Sequence, residues 1–354
     1  MKISVTRTVA IGAVLFALGA AAGAQQGAER FTVGTASAAR GQTATGVISV
    51  PAGSDAGYDV PVAVVHGAGP GKVLALAAGS HGTEYASIIA LERLIQQLDP
   101  RQISGTVIIV PLINVASFQR IVPHLNPVDG KNMNRFFPGT LQGTQTERAS
   151  FVLTRDVIEK SDHVIDMHGG DIDESLRQYS YWTRTGNAAQ DSISRDMVLA
   201  FGLDHIIISA DRPKDPNASR YLENTASLRG KPSITVEAGR AGTVAPEDVR
   251  ALIDGTLGVM AYLGMLDRPV RFVEHPVWLD PTATVASEAS GIFYPLVERG
   301  TYVAQGMKLG YVTDYVGKVL WEARAPVAGV ITFVRAVPSM NRGETVAAIG
   351  VVAR

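Results

Sequence analysis

The chain has 354 residues, of which 46% are hydrophobic and 18% are charged, and its formal net charge at pH 7 is −1. This composition is typical of a globular protein and argues against disorder. The near balance of charge favours neither a nucleic acid nor an anionic membrane as a partner. Because the chain has no Cys, disulfides are excluded, and any metal ion must be held by His and carboxylate side chains.

Residues 1–24 have the features of a secretory signal peptide. Two basic residues precede an apolar run over residues 9–22, which ends in the sequence Ala-Gly-Ala at residues 22–24. We therefore expect a mature chain that begins at Gln25, has a net charge of −3, is periplasmic or secreted, and has no stable membrane association. An uncleaved anchor is the alternative, which the short Ala/Gly-rich run disfavours. Residues 25–45 lack a periodic apolar pattern and predict a flexible lead.

Residues 46–270 alternate short apolar runs with amphipathic stretches, as an α/β domain does. A β-hairpin is expected over residues 46–65. Further strands are expected at residues 73–78, 105–112, 163–168, 205–209 and 233–237. Helices are expected at residues 83–98, 191–201, 221–228 and 246–266. In open α/β sheets ligands bind at the carboxyl ends of the strands, so polar residues at these ends are the first candidates for a site.

Residues 271–354 have a different sequence pattern, with short β-like runs and repeated Gly, which predicts a separate small all-β domain. Its sequence around residues 325–329 resembles the barrel of biotinyl and lipoyl carrier modules. No Lys stands convincingly at the expected hairpin tip, and Lys318 is the only candidate nearby, which argues against a carrier role.

Three candidate metal ligands lie at the ends of buried strands. His81 and Glu84 are on the Gly-bounded turn that follows residues 73–78, and His168 ends the strand at residues 163–168. Catalytic zinc usually has three protein ligands and leaves a fourth position to water. The His-x-x-Glu pair alone is weak evidence, because a Glu at a helix N-terminus is also favoured by the helix dipole; His168 makes the ligand interpretation the better one. Asp166, on the same face as His168, is placed to orient that ligand.

Glu237 ends another buried strand and is a candidate general base. A carboxylate in this position is costly unless it is solvated, paired or catalytic. A salt bridge to Arg240 or Arg135 is the structural alternative, and the residues alone leave both interpretations open. Glu147, by contrast, completes a capping box with Thr144 and is expected to be structural.

The segment from residue 114 to residue 143 is too long for a simple connection, and long loops in compact domains are usually functional or disordered. Its aromatic residues and Arg135 favour a packed, functional loop.

Four motifs occur in a fixed order along the chain. They are Gly79-Ser-His-Gly-Thr-Glu84, Asn134-Arg135-Phe-Phe-Pro-Gly, Asp166-Met-His168 and Val236-Glu237-Ala-Gly. In order and spacing they resemble the succinylglutamate desuccinylase/aspartoacylase family of zinc carboxypeptidase-like enzymes, and the resemblance spans residues 40–354. It implies an α/β fold with a zinc-carboxypeptidase-like mixed β-sheet flanked by helices, followed by a small all-β barrel-like domain.

The resemblance also implies roles for individual residues. One Zn²⁺ per chain would be held by His81, Glu84 and His168, with Glu237 as the general base. Asn134 and Arg135 would clamp a substrate carboxylate.

Two positions differ from the family pattern or leave it open. Asn132 stands where the family often has Asp; it can accept a hydrogen bond from a ligand His but cannot neutralise charge. Arg120 is a candidate for the family's carbonyl-polarising Arg, and the variable segment around it leaves that role open.

These roles imply amide hydrolysis. Zinc would activate water and polarise the carbonyl, while Glu237 would move the proton. The substrate is expected to be an N-acyl amino acid with a free carboxylate, so the enzyme would be a deacylase. A metallocarboxypeptidase acting on short peptides is the alternative within the same chemistry. A metal-free binding protein is the alternative from another class, and the presence of all three ligands disfavours it.

Overall fold

The computed structural model describes residues 1–2, 29–210 and 213–353. The expected signal peptide therefore lies almost wholly outside the described residues and stays a prediction. Within the described ranges, no helix combines the length and the apolar character that a membrane crossing requires.

The described residues form nineteen β-strands and six α-helices. The strands are β1 (Arg30–Val33), β2 (Ala36–Ala39), β3 (Gln42–Val50), β4 (Tyr58–His66), β5 (Gly69–Ala78), β6 (Ser104–Val110), β7 (His163–His168), β8 (Glu174–Leu176), β9 (Tyr179–Thr183), β10 (His205–Ser209), β11 (Ser233–Glu237), β12 (Val277–Ala286), β13 (Gly291–Pro295), β14 (Tyr302–Val303), β15 (Lys308–Thr313), β16 (Val319–Arg324), β17 (Gly329–Arg335), β18 (Ser339–Met340) and β19 (Thr345–Val352). The helices are α1 (Tyr85–Gln97), α2 (Val115–Arg120), α3 (Gln145–Leu153), α4 (Ala188–Phe201), α5 (Leu222–Ser227) and α6 (Pro246–Tyr262).

A thirteen-stranded mixed sheet runs through the molecule in the order β14-β17-β19-β12-β10-β9-β11-β7-β5-β6-β4-β3, with β8 paired to β17. Strands β6, β5, β7 and β11 are parallel neighbours, and β9 joins β11 antiparallel. All six residues of β7 are buried, as expected for a parallel strand covered by helices on both faces. The predicted mixed sheet flanked by helices is confirmed.

Two hydrophobic cores cover the faces of this sheet. Helices α1, α4 and α6 pack on one face, and α3, α5 and the β1–β2 hairpin pack on the other. Local sequence sets the helix ends: the Asn187 side chain accepts hydrogen bonds from the N–H groups of Ala189 and Gln190 at the start of α4, which satisfies donors that have no partner within the helix. Gly202 then ends α4 in the left-handed region at φ 92°.

The C-terminal strands combine a separate sheet with an extension of the central one. Strands β16, β15, β13 and β18 form a four-stranded sheet over their own core, which includes Phe293 and Leu309. Strand β12, however, pairs in parallel with β10, so β12, β19, β17 and β14 continue the central sheet. The expected domain boundary after residue 270 falls in the segment that joins α6 to β12.

The expectation of a flexible lead is wrong for residues 30–45. These residues form the β1–β2 hairpin and the start of β3. Val33 and Ala36 have no exposed surface and belong to the core that also contains Ile48 and Val60. The small Ala and Ser side chains gave no apolar periodicity, but they allow the hairpin to pack closely on β3. At the turn, a Cβ on Gly34, whose φ is 54°, would lie 2.1 Å from a backbone oxygen, so only Gly fits there.

Because Val33 is fully buried, Val33→Ala should lower the free energy of unfolding by about 1–3 kcal/mol, through lost burial and the cavity left behind. Val316→Ala is the matched control, since Val316 is 91% exposed. Urea unfolding of both variants measures the difference. Equal stability of the two variants would mean that the hairpin does not belong to the core.

Candidate active site

Parallel strand pairing brings the candidate residues to one edge of the sheet. In the β7–β11 pair His168 is aligned with Glu237, and in the β5–β7 pair Ala78 is aligned with Met167. The turn that carries His81 and Glu84 follows β5 directly. Residues that lie far apart in the sequence therefore meet where three parallel strands end.

The three predicted ligands lie around one point. His81 Nδ1 is 2.6 Å from Glu84 Oε1, and His168 Nδ1 is 2.9 Å from Glu84 Oε2. One donor atom from each residue lies within 4.8 Å of the other two. Two imidazole nitrogens and one carboxylate are a ligand set of catalytic zinc sites, so these residues fit the ion that the sequence predicts.

The outer nitrogens of both imidazoles face hydrogen-bond acceptors. His81 Nε2 lies 3.1 Å from Asn132 Oδ1, and His168 Nε2 lies 3.2 Å from Asp166 Oδ1. Ligating His side chains usually donate their second N–H to such an oxygen, which fixes the tautomer and the ring orientation. The contact with Asp166 is at ion-pair distance, and both oxygens of this buried carboxylate lack a hydrogen bond among the described residues. The amide oxygen of Asn132 thus accepts a hydrogen bond from His81, but the neutral amide brings no negative charge to this side of the site.

Burial and charge oppose one another in this cluster. Burial alone would raise the pKa of Glu84, but the neighbouring His168 and His81 lower that pKa to about 2. Burial alone would lower the pKa of His168, whereas the carboxylates of Glu84 and Asp166 raise it well above its usual value. Both shifts have one cause, since a buried carboxylate between two imidazoles demands positive charge.

Glu237 lies beside the ligand cluster without an ion pair. No Arg, Lys or His nitrogen lies within 4.0 Å of its carboxylate among the described residues, and its buried Oε2 has no hydrogen-bond partner there. Burial raises the pKa of Glu237 well above its usual value; His168 opposes this rise, and the charges of Glu84 and Glu174 add to it. The structural alternative, a salt bridge to Arg240 or Arg135, is not formed.

Asn134 and Arg135 lie in the packed loop expected from the sequence, next to two buried residues, Met133 and Phe137. The Arg135 guanidinium carbon lies 4.8 Å from the ring centroid of Tyr221, and its Nη1 donates to the Asn134 carbonyl at 2.6 Å. These contacts fix the orientation of an exposed Arg.

The Asn134 side chain has two contacts. Its Oδ1 accepts from the Leu222 N–H at 2.9 Å, and its Nδ2 lies 3.1 Å from His168 Nε2. If His168 Nδ1 held a metal ion, Nε2 would carry the proton and would no longer accept a hydrogen bond from Asn134. The Asn134 N–H would then be left for a substrate oxygen.

All six predicted site residues line one cavity of about 530 Å³. The C-terminal strands supply part of its wall through Thr284, Phe333, Thr345 and Ala348. Strand β17 pairs with β8, and Arg299 donates to the Leu176 carbonyl at 2.6 Å. The C-terminal strands are therefore fixed against the site. Arg120, whose role the sequence left open, is exposed at the end of α2 and does not line the cavity.

The cavity is also lined by residues that were not predicted from the sequence, and five of these carry an ionisable side chain. They are Glu174, Tyr179, Tyr181, Tyr221 and Glu223. The sequence Tyr-Ser-Tyr-Trp-Thr at 179–183 has the composition of a strand and could have predicted β9. The two Glu residues carried no local signal, because neither ends a buried strand.

A second group of possible ligands lies nearby, formed by His124, Asp173 and Glu174. Burial would lower the pKa of His124, but Asp173 and the neighbouring carboxylates raise it to about 9. The ring therefore carries a proton instead of a free lone pair. Asp173 is also paired with Arg335, so the charges of this group are balanced within the chain.

Residues 70–263 match the model of the succinylglutamate desuccinylase/aspartoacylase catalytic domain. The chain belongs to this family. The N-alpha-acetyl-L-2,4-diaminobutyric acid deacetylase of Halomonas elongata is 30% identical over 296 residues, which cover 82% of this chain and 85% of that protein. The predicted family is confirmed, and the relatives support hydrolysis of amide bonds.

Two solved structures of the family share the fold. The succinylglutamate desuccinylase/aspartoacylase of Rhodobacter sphaeroides aligns with a TM-score of 0.78 and 23% identity, covering 88% of this chain and 96% of that chain. The product-bound ectoine utilization protein EutE (DoeB) of Ruegeria pomeroyi aligns with a TM-score of 0.78 and 25% identity, covering 87% of this chain and 95% of that chain. Coverage this high extends the likeness beyond the catalytic domain to the C-terminal strands.

If His168 is a ligand, His168→Ala should lose most of the bound zinc, because two ligands hold the ion far more weakly than three. His275→Ala is the matched control, since His275 is exposed and distant in sequence from the cluster. Elemental analysis after dialysis measures the zinc content of both variants. One full equivalent retained by His168→Ala would show that the ligand set is wrong.

Proposed function

We propose that the chain is a zinc-dependent deacylase that hydrolyses the amide bond of an N-acyl amino acid with a free carboxylate. One observation carries this proposal: the imidazoles of His81 and His168 meet the Glu84 carboxylate in a cavity that also contains the unpaired carboxylate of Glu237. This arrangement supports the proposal, because the residues that would serve as metal ligands, proton acceptor and cationic clamp all line that cavity.

Zinc bound by these three residues would supply a Lewis acid that activates water and polarises the amide carbonyl. Glu237 is the proton acceptor, since its carboxylate is neither hydrogen-bonded at Oε2 nor ion-paired. The metal ion's positive charge would lower the raised pKa of Glu237 and favour its basic form. The same carboxyl group then returns the proton to the departing nitrogen.

Arg135 selects substrates that carry a carboxylate. Its planar guanidinium can donate two parallel hydrogen bonds to a carboxylate, and the ring of Tyr221 holds it in place. Asn134 adds an amide donor beside it.

The cavity favours a small N-acyl amino acid over a peptide. A volume of about 530 Å³ is in the range of pockets that enclose one small molecule. Four residues of the C-terminal strands bound this volume and take up space that further peptide residues would need. The relative from Halomonas elongata is named as a deacetylase of an acylated amino acid, which supports the same choice.

We also propose that the protein acts outside the cytoplasm. The support is the sequence of residues 1–24, with its basic start, its apolar run and its small-residue end. A substrate found there, such as an acylated amino acid taken up for scavenging, fits this location.

Zinc-loaded protein should hydrolyse N-acetyl amino acids and should lose most of that activity when the α-carboxylate is replaced by a carboxamide. The expected loss in kcat/KM is about tenfold to a hundredfold, because the Arg135 guanidinium would face a neutral group. Release of the free amine measures turnover. N-blocked tripeptides are the comparison, and faster hydrolysis of these than of any N-acetyl amino acid would favour the carboxypeptidase alternative.

Glu237→Gln should lower kcat by about 10²–10⁴-fold, the range typical of a positioned general base, and should leave the zinc content unchanged. The substitution keeps the shape of the side chain and removes its basicity. If Glu237 were structural, the melting temperature would fall and turnover per folded molecule would stay near normal. Measuring kcat, zinc and melting temperature on one preparation separates these outcomes.

A further inference from the structure

Glu223 is a buried acidic residue that the proposed mechanism does not use. It lies in the first turn of α5, is 4% exposed, and lines the same cavity as the predicted ligands. Its carboxylate accepts hydrogen bonds from Thr183 Oγ1 at 3.1 Å and Ser233 Oγ at 2.9 Å. Two hydroxyl donors leave a carboxylate with unused acceptor positions, because its two oxygens offer about four lone-pair sites.

In the described part of the chain, the Glu223 carboxylate has no cationic partner. Among the described residues, no Lys, Arg or His nitrogen lies within 4.0 Å of it. Burial raises the pKa of Glu223 to about 7, although hydrogen bonds from Ser233 and Thr183 work against that rise. A Glu is almost never fully buried without a partner, and an unpaired buried charge is expensive. A ligand that brought a positive charge would remove this cost.

The cavity joins Glu223 to the catalytic end along two strands. Glu237 is aligned with Tyr179, and Thr235 is aligned with Tyr181, in the antiparallel β9–β11 pair. The next same-face positions on these strands are Ser233 and Thr183, the two residues that bind Glu223. Ser233 and Glu237 are four positions apart on an extended strand, so their Cα atoms are separated by roughly 13 Å. Glu223 is therefore set back from the reacting amide, where a side chain of the substrate would reach.

The carboxylate clamp lies on the same side of the cavity. Tyr221, which stacks under Arg135, comes two residues before Glu223, and the Leu222 N–H between them donates to Asn134. The amino acid half of a substrate held by Arg135 would thus lie next to the start of α5. Leu176 and Phe333, by contrast, offer apolar surface on strands β8 and β17, which suits an acyl group.

We infer that Glu223 determines specificity by binding an ammonium group on the side chain of the substrate's amino acid. This inference rests on the proposed function, since it assumes that an N-acyl amino acid occupies the cavity. Lysine-like and shorter diamino acids are the substrate class it selects. The ammonium donates to the lone pairs that Thr183 and Ser233 leave free, and the ion pair is shielded from water.

The test compares substrates that differ only in this charge. N-acetylornithine and N-acetylnorleucine have side chains of the same length, as do N-acetyl-2,4-diaminobutyrate and N-acetylnorvaline. With zinc-loaded full-length protein, kcat/KM should favour the cationic member of at least one pair by about tenfold or more, as a charge-assisted hydrogen bond in a buried site would give. Glu223→Gln, which has nearly the same shape, should abolish this preference, and Glu223→Asp should retain part of it.

Glu174→Gln is the matched control. It removes another carboxylate of the same cavity, which is half-buried and whose pKa burial and the charge of Glu84 also raise to about 7, and it should change both members of a pair alike. If the wild type shows no preference for any cationic member, or if Glu223→Gln keeps the preference, the inference is overturned.

A binding measurement separates this inference from the proposed function. Calorimetry with the free amino acids ornithine, norleucine, 2,4-diaminobutyrate and norvaline should show tighter binding of the cationic compounds to the wild type but not to Glu223→Gln.

If no N-acetyl amino acid is hydrolysed and this binding preference is present, the deacylase proposal fails and the role of Glu223 stands. Hydrolysis without any charge preference in rate or binding would overturn the role of Glu223 and leave the deacylase proposal standing. A Glu223→Gln variant that does not fold leaves the wild-type preference as the deciding result.

Discussion

The site depends on one carboxylate held between two imidazoles. Glu84 is buried and bonded to His81 on one oxygen and to His168 on the other. Such an arrangement is costly in a protein interior unless positive charge is supplied, and the surrounding elements hold the three groups in place. The parallel pairing of β5, β7 and β11 fixes their spacing. The outer nitrogen of His81 is bonded to Asn132, and that of His168 lies 3.2 Å from Asp166.

Charged residues are unevenly distributed over the wall of the cavity. Cationic Arg135 and acidic Glu223 are brought to one side by the short helix α5 and the loop that contacts it, whereas β8 and β17 offer apolar surface. The proposed substrate, with a carboxylate, a scissile amide and an apolar acyl group, would meet complementary surroundings in this order. The C-terminal strands take part directly, because they continue the central sheet and supply four wall residues. They are therefore part of the site's construction and not an appendage to it.

How far the sequence predicts this structure depends on how local the determinants are. Strand β7 was predicted at residues 163–168 and lies there, because an apolar run closed by two glycines is a local signal. The capping box of Thr144 and Glu147 was predicted for the same reason and is present. The β1–β2 hairpin was missed because its Ala and Ser residues acquire their meaning only through tertiary packing on β3.

The residues of the candidate site also differ in how far local sequence predicts them. His81, Glu84, His168 and Glu237 could be predicted because each lies at or just beyond the end of an apolar strand. Glu223 could not be predicted, since it stands out only because its carboxylate is buried with no cation beside it among the described residues. Only the assembled fold shows what lies next to it. Strand β9 was missed as well, and with it Tyr181 and Thr183, although its aromatic and Thr content favours a strand.

Our central proposal is that the two imidazoles and Glu84 hold a zinc ion. Anomalous diffraction at the zinc edge, from crystals of the zinc-loaded protein, tests it directly. We expect one strong peak between Nδ1 of His81, Nδ1 of His168 and the Glu84 carboxylate. A peak among His124, Asp173 and Glu174 instead, whose donor atoms also lie within 4.8 Å of one another, would contradict the proposal, as would the absence of any peak.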